Sequence, residues 1–165
     1  MLELDAERLE VYLLPGEFHL ARKPTIIRTL LGSCVGVTFW SEKLGLGALS
    51  HSLLPRCASD PAPASSLANG HRYVDFAIRD LARQLDELGV RRSEVQVKLF
   101  GGADVLVVSD AANLIATVGK LNCQAALEVI EAEGFKVIAS SLGGTVGRNI
   151  EFDTGSGEVW LRWLG

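Results

Sequence analysis

The sequence predicts an α/β fold of the α+β type, in which mixed β-sheets pack together with helices flanking them. Short apolar runs rich in Val, Ile, Leu and Thr recur along the chain, and two longer segments carry helical periodicity instead. The order is three strands, a helix, two strands, a helix and three strands. That alternation is too loose for a doubly wound parallel sheet, which leaves packed mixed sheets with helices outside.

The first three strands are expected at 24–31, 34–40 and 46–53, punctuated by Gly32-Ser33, by the stretch 41–45 and by Pro55. Residues 56–72 mix Pro, Ser, Ala, Asn and Gly without periodicity and read as the longest loop, expected to border the functional site. A helix follows, with Val74, Ile78, Leu81, Leu85 and Leu88 on one face, Asp75, Arg79, Asp80, Arg83 and Glu87 on the other, and Gly89 as its stop. Strands are then expected at 95–100 and 103–108. A second helix over 122–133 buries Leu127 and Ile130, shows Glu128 and Glu131 outward, and ends at Gly134. Runs at 136–140, 149–152 and 159–163 complete the set, with Trp160 and Trp163 assigned to the core or an interface.

A chain of 165 residues fits one domain spanning 1–165, long enough to bury a core without disulfides or metals. The formal charge of −4 gives no basic footprint for nucleic acid. No apolar run is long enough to span a bilayer, and the acidic start lacks the features of a signal peptide. Cys34, Cys57 and Cys123 are an odd set without framework spacing, which suits reduced thiols in a cytoplasmic protein.

Cys34 follows Gly32-Ser33 and opens a strand, and His51 lies near the end of the next. An antiparallel hairpin centred between Glu42 and Lys43 places the two directly opposite, with Cβ atoms roughly 5 Å apart. Imidazole can take the thiol proton, since only the thiolate is a competent nucleophile, and can then protonate a leaving amine. This contact is expected to lower the Cys34 thiol pKa, so that Cys34 alkylates first at mildly acidic pH. The Gly32-Ser33-Cys34 turn allows backbone N–H groups to converge as an oxyanion site. A plainer reading stays open: His51 shares strand parity with Leu49 and Leu53, and a cysteine among valines is often a small core residue.

Other candidates are weaker. Cys123 follows Asn122 at an expected helix start, where the dipole favours a thiolate, but its spacing to Leu127 and Ile130 favours packing. His51, Cys57 and His71 match no structural zinc spacing, and nothing else implies a metal or cofactor. Phe100-Gly101-Gly102-Ala103 and the glycine-rich 143–148 lack the lysine and context of a nucleotide loop, and read as tight turns or close backbone approaches.

Taken together these residues resemble the CheD family of chemoreceptor glutamine deamidases, from about Val11 to Leu164. The resemblance rests on Pro15-Gly16-Glu17, on Thr29-Leu30-Leu31-Gly32-Ser33-Cys34-Val35 and on His51-Ser52-Leu53-Leu54-Pro55. It continues in Tyr73, Asp75 and Ala77, in Lys98-Leu99-Phe100-Gly101-Gly102-Ala103, in Gly119 and Asn122, and in Gly143-Gly144 with Gly147-Arg148. The resemblance implies a nucleophile at Cys34, a general base at His51, and a fold similar to the cytotoxic necrotising factor deamidase toxins. It implies conversion of glutamine to glutamate on methyl-accepting chemotaxis receptors through a thioester, and a partner of the CheC type, a phosphatase of phosphorylated CheY.

The chain departs from the family pattern in three places. In an ungapped alignment the family's third catalytic residue, a threonine, falls on Arg28, with Thr29 one step later. A one-residue shift on a regular strand reverses the face, and a guanidinium offers only donors. The expectation is that Arg28 points away and that Thr29, Ser33 or a backbone carbonyl orients His51. Leu121 stands where the family has arginine, and Ser141 where it has an acid. The competing readings are a catalytically silent CheD-like module that regulates a CheC-type phosphatase, which Arg28 favours, and a hydrolase of a different protein amide.

Overall fold

The computed structural model describes residues 8–57, 67–105 and 117–165. Its strands are β1 (Leu9–Tyr12), β2 (Phe18–Ala21), β3 (Thr25–Leu31), β4 (Val35–Ser41), β5 (Leu46–Ser52), β6 (Gln96–Gly101), β7 (Val137–Leu142), β8 (Arg148–Asp153) and β9 (Val159–Trp163). Its helices are α1 (Leu67–Gly70), α2 (Val74–Glu87) and α3 (Val118–Ala132), with a short 3₁₀ turn at Arg92–Glu94. Two mixed sheets form, one in the order β1-β3-β8-β9 and the other β2-β5-β4-β6-β7. The architecture is α+β.

Strand alternation sorts the side chains into layers. On β4, Val35, Val37 and Phe39 join the cluster built with α2 and α3, through Ile78, Leu81, Val129 and Ile130. The opposite face of this sheet packs on the other sheet, where Leu49 and Phe100 meet Ile27, Leu31, Ile150 and Phe152. Helices, five-stranded sheet and four-stranded sheet therefore stack as three layers. On β3, Ile27, Thr29 and Leu31 are buried toward this second seam, whereas Arg28 and Leu30 take the alternate positions on the outer face.

Several expectations change. The β4–β5 hairpin pairs Ser41 with Leu46 and Gly36 with His51, so Cys34 is not opposite His51. The tight turn, with Gly45 at φ 61°, centres the pairing one residue later than the sequence midpoint. This moves the register by two, which keeps the face, and Cys34 falls in the bend just before β4. Ala103, Asp104 and Val105 are not strand, and 106–108 lie outside the described residues. The helix expected at 122 starts at Val118, capped by Thr117, whose Oγ1 accepts from Lys120 N at 3.2 Å. Leu127 consequently faces outward at 46 % exposure, while Ala125, Ala126, Val129 and Ile130 are buried. Cys123 sits in the second turn, away from the helix start.

Asp75 is buried rather than outward, and its Oδ1 accepts the Cys57 N–H at 3.0 Å. Trp160 and Trp163 are half exposed and outside the core. The loop expected at 56–72 contains α1, and its residues 58–66 lie outside the described residues. The strands β1 and β2 went unread because four residues are too few to establish a period.

Candidate active site

His51 lies near the C-terminal end of β5 and is 2 % exposed. Its backbone is gripped by the turn at Pro15-Gly16-Glu17: Gly16 N donates to His51 O at 2.8 Å, and His51 N donates to Glu17 O at 3.0 Å. Gly16 has φ 85°, a conformation that glycine enters without a Cβ penalty. The imidazole faces the seam between the sheets, on the same side as its pair residue Gly36.

Thr29 meets it from β3, across that seam, with Oγ1 at 2.6 Å from His51 Nδ1. The same hydroxyl donates to the Leu13 carbonyl at 2.8 Å. A hydroxyl has one proton, and a carbonyl can only accept, so that proton is committed to Leu13. Thr29 Oγ1 must then accept from His51, which carries its proton on Nδ1. The lone pair is left on Nε2, which is buried and has no hydrogen-bond partner among the described residues. This is the tautomer a general base requires. Burial pushes the imidazole pKa down to about 4, against a smaller upward pull from the Glu17 carboxylate, so the ring is neutral at physiological pH.

Arg28 has no part in this. It stands on the outer face of the sheet, where Nε meets Glu151 at 2.8 Å and Nη1 meets Glu10 at 3.2 Å. The one-residue displacement of the threonine is thus absorbed by the stacking of the sheets, which places Thr29 inward. No hydrogen bond joins Ser33 to the ring; its main-chain carbonyl accepts from Asn122 Nδ2 instead.

Cys34 occupies the bend leading into β4 and is half-buried against the seam cluster of Leu31, Leu49 and Phe100, the side to which His51 also faces. No hydrogen bond joins the thiol to His51. Burial holds the thiol above its ordinary pKa, although the residue's own amide N–H acts in the other direction. The lowered thiol pKa expected from the sequence is therefore not found: burial favours the neutral form of both the Cys34 thiol and the His51 imidazole. Alkylation of Cys34 by iodoacetamide should accordingly climb through the alkaline range; a rate already on its plateau at pH 6 would contradict this.

The bend carrying Cys34 is held at three successive carbonyls. Ala103 N donates to Gly32 O at 2.9 Å and Gly102 N to Cys34 O at 2.8 Å. Asn122 Nδ2 donates to Ser33 O at 2.9 Å. The Phe100-Gly101-Gly102-Ala103 motif is glycine-rich because backbone meets backbone here. A Cβ on Gly101, at φ 103°, would come 2.1 Å from the Cys34 carbonyl oxygen, and one on Gly102 would come 2.1 Å from Cys123 Sγ. Sequence reasoning assigned no role to Asn122 or Leu13. Asn122 had a signal, a carboxamide on the buried stripe of an otherwise apolar helix face, whereas a backbone carbonyl such as that of Leu13 leaves none.

Cys123 packs against the glycine turn, and burial raises its thiol pKa. His71 lies elsewhere, stacked on Phe18 with ring centroids 3.8 Å apart and bonded through Nε2 to Asp80 at 2.8 Å. Among the described residues no group of His, Cys, Asp and Glu is gathered to hold a metal ion.

The family described as CheD chemotactic sensory transduction matches residues 53–163. A protein of Maridesulfovibrio salexigens named "Probable chemoreceptor glutamine deamidase CheD" is 41 % identical over 155 residues, covering 93 % of this chain and 91 % of its own. The chain belongs to the CheD family. A CheD of Geobacter sulfurreducens bearing the same name, numbered 2, is 41 % identical over 93 % of this chain and 89 % of its own. The CheD of Pseudomonas savastanoi pv. phaseolicola is 38 % identical over 93 % and 84 %. The matches to these CheD proteins are long enough to include Cys34 and His51, which precede the segment matched by the family as a whole.

Proposed function

We propose that this protein is a cysteine-dependent glutamine deamidase that converts glutamine side chains of methyl-accepting chemotaxis receptors to glutamates. The observation that carries the chemistry is the His51 imidazole with Nδ1 engaged by Thr29 and Nε2 free, on the seam that also receives Cys34. The substrate class comes from the relatives, whose names specify chemoreceptor glutamine deamidation.

In the first half-reaction His51 Nε2 takes the Cys34 proton as sulfur attacks the side-chain carbonyl carbon of glutamine. The oxygen of the tetrahedral intermediate is received by backbone N–H groups of the Gly32–Val35 turn. The His51 imidazolium returns its proton to the amide nitrogen, ammonia leaves, and a Cys34 thioester forms. In the second, His51 takes a proton from water, hydroxide adds to the thioester, and thiol and glutamate carboxylate are released. The net change is amide plus water to carboxylate plus ammonium.

The inward position of Thr29 supports an active enzyme over a silent module, since Arg28 was the feature that favoured silence. We further infer that the 165 residues work as one domain in the cytoplasm, and that a CheC-type phosphatase of phosphorylated CheY is a regulatory partner, as the family resemblance implies. No helix among the described residues is long and apolar enough to cross a membrane. Incubating the purified protein with receptor cytoplasmic fragments should produce one-dalton mass gains at particular glutamines. Fragments from the same cell that stay unchanged over long incubation, with Cys34 reduced, would defeat the reading.

A further inference from the structure

The Asn122 side chain is wholly buried on α3, and its carboxamide spends both Nδ2 hydrogens on main-chain carbonyls. One goes to Ser33, the residue before the nucleophile, at 2.9 Å. The other goes to Leu53, two residues past His51, also at 2.9 Å. A single side chain thus ties the turn bearing Cys34 to the chain end bearing His51.

The bond to Ser33 has a directional consequence. A peptide unit is planar and trans, so its C=O and N–H point to opposite sides, and no peptide among the described residues is cis. The Ser33 carbonyl shares its plane with the Cys34 N–H. Drawing that oxygen toward α3 turns the Cys34 N–H away from the helix. The amide N–H of a nucleophile's own residue is within reach of the tetrahedral oxygen on a carbon bound to its side chain. The neighbouring carbonyls, Gly32 and Cys34, are held by backbone donors that no side-chain substitution removes. Among the described residues, Asn122 supplies the one hydrogen bond to these three carbonyls that comes from a side chain.

We propose that Asn122 is a positioning residue that fixes the Ser33–Cys34 peptide so that the Cys34 amide N–H serves as an oxyanion donor during attack on the glutamine amide. This rests on the deamidase reading above. Losing the restraint lets the peptide rotate and weakens one oxyanion hydrogen bond, while thiol and imidazole keep their identities.

The test compares two reactions of the same sulfur. Deamidation passes through an oxyanion, whereas alkylation by iodoacetamide is a displacement at saturated carbon and forms none. Asn122→Ala should lower kcat for receptor-fragment deamidation by roughly a hundredfold, with KM little changed, in the range seen on loss of one oxyanion donor. Its second-order alkylation rate at Cys34 should stay within about twofold of the parent. Asn122→Ser, which keeps a single donor, should fall between, and takes the place of the alanine variant if that one fails to fold. Deamidation unchanged in folded variants, or deamidation and alkylation falling together, would overturn the proposal. A parent protein that alkylates at Cys34 yet deamidates nothing would instead remove the deamidase reading, and this inference with it.

Discussion

Cys34→Ala should leave no measurable deamidation of receptor glutamines, and His51→Ala should come close to the same floor. The two losses have different origins. Without sulfur there is no nucleophile and no thioester. Without imidazole the thiol remains, but burial holds its pKa above the ordinary range, so almost none is thiolate at neutral pH. General-base assistance of this kind is worth about 10²–10⁴ in rate. It has to act in both half-reactions, so the His51 variant should fall by at least that factor. Raising the pH should recover part of the activity of His51→Ala by ionising the thiol directly, and none of that of Cys34→Ala. Mass spectra of receptor fragments, followed over time at neutral and alkaline pH, read both outcomes. Sustained neutral-pH turnover by Cys34→Ala would place the nucleophile elsewhere, with Cys123 the next thiol to examine.

Thr29→Val should reduce turnover by roughly ten- to a hundredfold, a part of what general-base catalysis contributes. Valine matches threonine in shape, so the packing at this buried position is preserved. What is lost is the acceptor for the His51 Nδ1 proton and the donor to the Leu13 carbonyl. The ring is then free to rotate or to carry its proton on Nε2, where it can no longer take one from Cys34. Thr29→Ser restores both bonds and should retain most of the activity. NMR of the ring nitrogens supplies a readout independent of rate: a shift from Nδ1–H toward Nε2–H in Thr29→Val is expected. Wild-type activity in Thr29→Val, with the tautomer unmoved, would mean that something else orients the ring. Arg28 belongs to neither experiment, because it is bound to glutamates on the outer face.

Much of the architecture was legible from the sequence, because periodicity is a local property. A run such as 25–31 is apolar and rich in Ile, Leu and Thr within itself, and the stripe of Val74, Ile78, Leu81 and Leu85 announces a helix whatever it packs against. Cys34 and His51 were legible as candidates for a similar reason, since a hairpin relates residues through a short intervening segment. The hairpin centre was misplaced by one position. A register error of two residues keeps the face, so the two candidates stayed on the same side of the sheet.

What the tertiary structure decided is everything that passes between distant segments. Whether Arg28 or Thr29 faces His51 depends on which side of β3 lies against the other sheet, and no window around residue 28 contains that information. The tautomer of His51 depends on the Leu13 carbonyl, which has no side-chain signature. The neutral state of Cys34 and His51 follows from burial, and burial exists only once both sheets are stacked. Asn122 is the clearest case. In the sequence it stood at the expected start of the second helix. In the fold the helix starts at Val118, four residues before the expected start and capped by Thr117, and the Asn122 carboxamide turns inward to hold the Ser33 and Leu53 carbonyls. By itself the sequence determined most of the elements and named the candidate groups, through interactions of short range along the chain. Their mutual orientation came from long-range packing, which sets the hydrogen bonds that His51 and the turn bearing Cys34 make.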